Sequence, residues 1–89
     1  MRVARRYLIS GRVQGVGFRY FAQTVALREA VHGWVRNLSG GRVEIAAEGE
    51  RDALERFEEE IRRGPRAARV EDVDATDITP SGHAGFVIR

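Results

Sequence analysis

The sequence predicts an α+β sandwich in which an antiparallel sheet carries two helices on one face. Three observations lead there. Two stretches repeat apolar residues at helical spacing, two others alternate apolar and polar residues around a glycine turn, and the elements follow one another as βαββαβ with an extra C-terminal strand.

The first element, "RRYLIS" (residues 5–10), reads as a strand that ends at Gly11. From Phe18, the residues Phe21, Ala22 and Val25 follow at +3, +4 and +7, the stripe of an amphipathic helix that ends before "HGWVRNLSGG". Residues 33–39 read as a strand with Val35 and Asn37 on one face and Trp34, Arg36 and Leu38 on the other. Ser39-Gly40-Gly41 is a turn, and "RVEIAAE" then sets Val43, Ile45 and Ala47 against Glu44, Ala46 and Glu48, so the two strands form a hairpin. The second helix, "ERDALERFEEEIRR", carries Leu54, Phe57 and Ile61 on its apolar stripe. Its exposed face offers Glu58–Arg62 and Glu59–Arg63 pairs at i,i+4, and Gly64-Pro65 stops it. "ARVEDVDATDI" is a weaker strand interrupted by polar residues; Pro80-Ser81-Gly82 turns the chain and "GFVIR" closes it with a short strand. Two split βαβ units of this kind make a ferredoxin-like sandwich.

Composition bounds what such a chain can do. At 89 residues it is read as one domain spanning 1–89, and 43% hydrophobic against 31% charged residues is an ordinary globular balance. There is no apolar run near the ~20 residues of a membrane span. "MRVARRYLIS" lacks the apolar core of a signal peptide, so a cytoplasmic protein with no membrane partner is expected. With no cysteine there is neither a disulfide framework nor a thiolate nucleophile. A net charge of +2 is too small to argue for nucleic acid, and no nucleic-acid partner is expected. All 15 basic residues are arginine, which excludes a lysine-dependent P-loop.

The segment with chemical content is "GRVQGVGFR", residues 11–19, between a strand and a helix N-terminus. Glycines there allow positive φ and let backbone N–H groups turn inward as an anion nest, and the helix end adds free N–H donors and a positive dipole. Arg19, in the first helical turn, offers a bidentate hold on two phosphate oxygens, with Phe18 as the apolar anchor of the loop. The spacing alone is equally that of a glycine-rich connection beside a surface arginine. Six positions before Arg19, where cysteine-dependent phosphatases place their nucleophile, stands Val13: the loop can hold phosphate and cannot attack it. His32 and His83 lack metal-ligand spacing and read as exposed loop residues; the carboxylates read as solvated faces, and no metal site is expected. Asn37 is out of place in a strand and serves either the following turn or a function.

"GRVQGVGFRYF", "GWVRNLSGGRVEIAAEG" and the terminal "GFVIR" together resemble the acylphosphatase family over essentially the whole chain. The resemblance implies a ferredoxin-like fold and hydrolysis of small-molecule acyl phosphates to a carboxylate and inorganic phosphate, with no metal or cofactor. It implies that Gly11, Arg12, Val13, Gln14, Gly15, Val16, Gly17 and Phe18 form the phosphate-binding loop, that Arg19 holds the phosphoryl group, and that Asn37 positions the attacking water. A monomer is expected. The chain departs from the family pattern at the end of the first helix, where Glu29 stands for a core leucine and Ala30 for a glycine; Leu27 or Val31 is expected to fill the apolar place. The rival reading of this fold, an RNA-binding sheet, needs an aromatic motif on a strand, whereas Gly17-Phe18-Arg19 leads into a helix.

Overall fold

The computed structural model describes residues 1–89. Its elements run β1 (Arg2–Arg12), α1 (Phe18–Glu29), β2 (His32–Asn37), β3 (Val43–Glu50), α2 (Arg51–Arg63), β4 (Arg69–Ile78) and β5 (Phe86–Ile88). The strands lie in the order β4-β1-β3-β2-β5. β1 pairs antiparallel with β3 and β4, as β2 does with β3. This is the ferredoxin-like sandwich, with one correction to an all-antiparallel sheet: β5 pairs with β2 in parallel, so the sheet is mixed.

The direction of β5 follows from how the chain reaches it. Four strand spacings separate β4 from β5, about 19 Å, and residues 79–85 must span them in a nearly extended course. Two side chains pin that crossing. Buried Glu48 of β3 accepts from Ser81 N and Gly82 N, both at 3.0 Å, from Ser81 Oγ, and from Arg2 Nε. His32 Nδ1 of β2 accepts from Gly85 N at 2.8 Å. His32 is thus a half-buried strand residue with a structural bond, not an exposed loop residue.

Odd-numbered positions of β1, β2 and β3 face the helices. Tyr7 and Ile9, Val35, and Val43, Ile45 and Ala47 meet Phe18, Ala22 and Val25 of α1 and Leu54, Phe57 and Ile61 of α2 in one core. Each large apolar side chain buried there contributes about 1.5–3 kcal/mol. The opposite face buries charge. Glu44 and Glu48 keep only 3% and 2% of their surface exposed because arginines lie over them: Arg6 and Arg36 converge on Glu44, and Arg2 reaches Glu48. Burial raises the Glu48 carboxyl and its donors lower it further, holding it down to about 2. A folded pKa below the ordinary ~4.3 means stability that is complete above that value and is lost as pH falls toward 2, roughly 3 kcal/mol in all. Glu48→Gln is therefore expected to lower the melting temperature at neutral pH and to flatten its fall between about pH 5 and 2. A thermal-melt series against pH checks this, and an unchanged acid limb would exclude the role.

The end of α1 resolves the two departures from the family pattern. Ala30 adopts the left-handed conformation, φ 56° and ψ 40°, where its N–H bonds the carbonyls of Ala26 and Leu27. Val31 N donates to Ala26 O at 2.8 Å, which completes a Schellman cap and carries Val31 into the core, while Leu27 stays 63% exposed. Glu29 fills no apolar place; it accepts from Arg56 Nε of α2 at 2.7 Å. On α2 the Glu58–Arg62 pair forms at 3.1 Å, whereas Arg63 turns to Glu60 instead of Glu59. A left-handed alanine costs about 1–2 kcal/mol, and glycine's extra unfolded-state entropy returns about 0.4–1 kcal/mol of any gain. Ala30→Gly should accordingly raise the melting temperature by roughly 2–8 °C; a fall would show that the cap is not strained.

Candidate active site

The site lies where β1 hands over to α1. Gly11 and Arg12, read as the start of the binding loop, are the last residues of β1 and pair with Val70 and Arg69 of β4. Gly11 serves sheet packing, since a Cβ there would meet Arg69 O at 2.2 Å. The loop proper is residues 13–17. Val13 and Phe18, each 1% exposed, fix its two ends in the core. Gln14 Nε2 ties it to the β2–β3 turn by donating to Leu38 O at 2.8 Å and Arg42 O at 2.9 Å. Between those anchors Gly15 and Gly17 take φ of 74° and 79°. A Cβ at either would meet nothing, so the left-handed turn and not lack of space calls for glycine.

Gly17 is the N-cap of α1, and it offers no side chain to the helix's free N–H groups. The first turn holds no acidic residue. The positive end of α1 is thus left for an external acceptor. Beside it is a concavity of about 90 Å³ lined by Val13, Gly15, Gly17, Phe18, Arg19, Tyr20 and Asn37. Gln14 and Val16 are not in its wall. The fold therefore brings Arg19 and Asn37 together across 18 residues of sequence, Arg19 from the first turn of α1 and Asn37 from the last position of β2.

Neither side chain meets a side-chain carboxylate. Arg19's one hydrogen bond runs from Nη1 to the main-chain oxygen of Arg89 at 3.1 Å, which leaves the rest of its fork free. Asn37 Oδ1 is buried without a hydrogen-bond partner, the one such side-chain atom in the structure. Buried polar atoms are nearly always paired, and an unmade bond costs about 1–3 kcal/mol. No carboxylate or histidine lines the concavity. Tyr20, 67% exposed at its rim, is the lining residue that the sequence reading did not single out. Its place beside Arg19 in the first helical turn was the available signal.

A cation with no side-chain carboxylate beside it, an uncapped helix end and an amide oxygen that no protein group satisfies share one small cavity. The acylphosphatase family model matches residues 5–88. The chain belongs to the acylphosphatase family. It is 58% identical to an acylphosphatase of Salinibacter ruber, over 99% of this chain and 92% of that one. It is 50% identical to an acylphosphatase of Koribacter versatilis, over 85% and 69%. The crystal structure of the acylphosphatase from Bacillus subtilis superposes with a TM-score of 0.95 at 43% identity, covering 98% of each chain. Membership of the acylphosphatase family supports an enzyme that hydrolyses acyl phosphates. No helix is long and apolar enough to cross a membrane.

Proposed function

We propose that this chain hydrolyses acyl phosphates by in-line attack of a water that Asn37 positions, on a phosphoryl group held by Arg19 and the backbone N–H groups of residues 13–17 and the start of α1. The observation that carries the reading is the buried Asn37 Oδ1, which no protein group satisfies, in the same cavity as an Arg19 that meets no side-chain carboxylate. An acceptor that no protein group satisfies is free to take a hydrogen bond from a water. The phosphoryl group meets the four N–H groups of Arg19's fork that Arg89 does not take and the uncapped helix end, both positive.

The chemistry matches what the cavity holds. The water oxygen bonds to phosphorus, the phosphorus–oxygen bond to the acyl group breaks, and its electron pair leaves on a carboxylate. With a pKa of roughly 4 to 5, that carboxylate departs without a general acid. The transition state is loose, so positioning and charge stabilisation carry most of the rate. No base lines the cavity, and the water's proton passes to a phosphoryl oxygen, giving dihydrogen phosphate as the initial product. The reaction is proposed to need neither metal nor cofactor.

Hydrolysis of benzoyl phosphate with EDTA present, paired with inorganic phosphate binding followed by phosphorus NMR, tests this. Turnover with phosphate as a competitive inhibitor is expected. Phosphate binding without turnover of any acyl phosphate would leave an anion-binding module and remove the hydrolytic role.

A further inference from the structure

Arg19's long stem has many rotamers, and its fork is useful to a phosphoryl group only in the one that points into the cavity. The hydrogen bond that selects among them comes from Arg89, a residue of the strand edge and not of the loop. Arg89 is itself held twice. Its N–H donates to Val35 O at 2.8 Å, one residue beyond the end of β5. Its guanidinium lies over the Trp34 ring, Cζ 4.4 Å from the centroid. Trp34 belongs to the face of β2 opposite Val35 and Asn37. The ring also carries the Arg36 guanidinium at 5.2 Å, and Arg36 is anchored in turn by buried Glu44 at 2.7 Å.

We infer that Trp34 is a positioning residue: by holding the Arg89 side chain on the open face of the sheet, it fixes the Arg89 main-chain oxygen that takes one N–H of Arg19 and aims the remainder of the fork at the phosphoryl group. The inference rests on the reading of Arg19 given above. A guanidinium has five N–H donors, so one bond to Arg89 O leaves four, enough for a bidentate hold. The coupling cannot exceed the contact that supplies it. An exposed cation–π contact limits the effect to about two- to fivefold in the fraction of Arg19 that is aimed. A lower competent fraction weakens ground state and transition state alike, and it therefore appears in KM and in phosphate affinity while kcat is kept.

The test compares Trp34→Leu, Trp34→Phe and Arg89→Met with the unaltered protein. Arg89→Met removes the side-chain charge and keeps the main-chain oxygen, and because Arg89 is exposed it decides the matter if Trp34→Leu fails to fold. The expected result is a two- to fivefold rise in KM for benzoyl phosphate and in the phosphate Kd for Trp34→Leu and Arg89→Met. Trp34→Phe should fall between Trp34→Leu and the unaltered protein, and the Trp34→Leu/Arg89→Met pair should be no worse than either change alone. A merely structural Trp34 would lower the melting temperature without moving KM, or its effect would add to that of Arg89→Met; either result overturns the inference. The Arg19 Nε–H heteronuclear NOE gives a readout that needs no turnover, with lower values expected in both single variants. If the unaltered protein neither hydrolyses acyl phosphates nor binds phosphate, the functional reading fails. The NOE then still decides whether Trp34 holds Arg19, and unchanged values reject it.

Discussion

Arg19→Ala is expected to lower kcat/KM for an acyl phosphate by roughly 10³-fold or more, the range seen when an arginine that stabilises phosphoryl transfer is removed. The size follows from what remains. Without Arg19 the cavity keeps the end of α1 and the loop amides, and a helix end contributes about 0.3–1 kcal/mol to an anion at an exposed site. Hydrogen bonds from a charged fork contribute about 1.5–3 kcal/mol each, and their contribution grows as charge spreads over the phosphoryl oxygens. The variant should also bind inorganic phosphate much more weakly, because Arg19 meets product as well as transition state. Folding should be almost untouched, since the change removes one exposed hydrogen bond to Arg89 O and no contact with a side-chain carboxylate. Arg19→Lys keeps a charge and loses the fork; it should recover part of the phosphate affinity and little of the rate. Steady-state kinetics with benzoyl phosphate and phosphorus NMR titration check both. Retention of rate within tenfold in Arg19→Ala would remove Arg19 from the mechanism.

Much of this site was legible before the fold was known, for a physical reason. A left-handed turn that leads into a helix must be written in glycine, and Gly15 and Gly17 carry that requirement openly. The alternation of Val43, Ile45 and Ala47 and the stripe of Leu54, Phe57 and Ile61 are written with the same directness, because apolar burial is periodic along an element. Gly11 belonged to the same motif and misled for the complementary reason. Close approach of two backbones asks for glycine too, and here the neighbour is Arg69 of β4, which sequence spacing does not reveal.

What stayed hidden was whatever depends on partners far away in the chain. Alternation assigns Glu44 and Glu48 to the face away from the helices, and it is silent on the arginines that bury them there. His32 reads as a loop residue until Gly85 is brought to its Nδ1. The parallel pairing of β5 depends on where residues 79–85 cross, which Glu48 settles from the middle of the sheet. Ala30 was legible only as a departure from the family pattern, and its left-handed φ shows that the turn survives the loss of glycine at some cost.

Asn37→Ala is expected to separate activity from stability. In the proposed role of orienting the attacking water, Asn37 acts on kcat, and its removal should cost roughly 10²- to 10³-fold there, as for loss of one preorganised polar group, with KM little changed. No protein group bonds its Oδ1, so truncation takes no hydrogen bond from the fold at that atom. The side chain borders the open concavity, so truncation enlarges that space and leaves no closed void. Alanine and asparagine are both poor strand residues, which leaves little backbone preference to offset the change. The melting temperature of Asn37→Ala should therefore stay close to that of the unaltered protein while its turnover collapses. The alternative role, support of the turn after β2, makes the contrary demand. A side chain that held the turn would be hydrogen-bonded to it, and its loss would lower stability by about 1 kcal/mol. The turn is instead held by Leu38 N to Arg42 O at 2.8 Å and by Gln14 from the binding loop, with no contribution from the Asn37 side chain. Thermal melts beside single-turnover kinetics decide between the two, since a destabilised variant with normal kcat would make Asn37 a turn residue and leave the water without its guide.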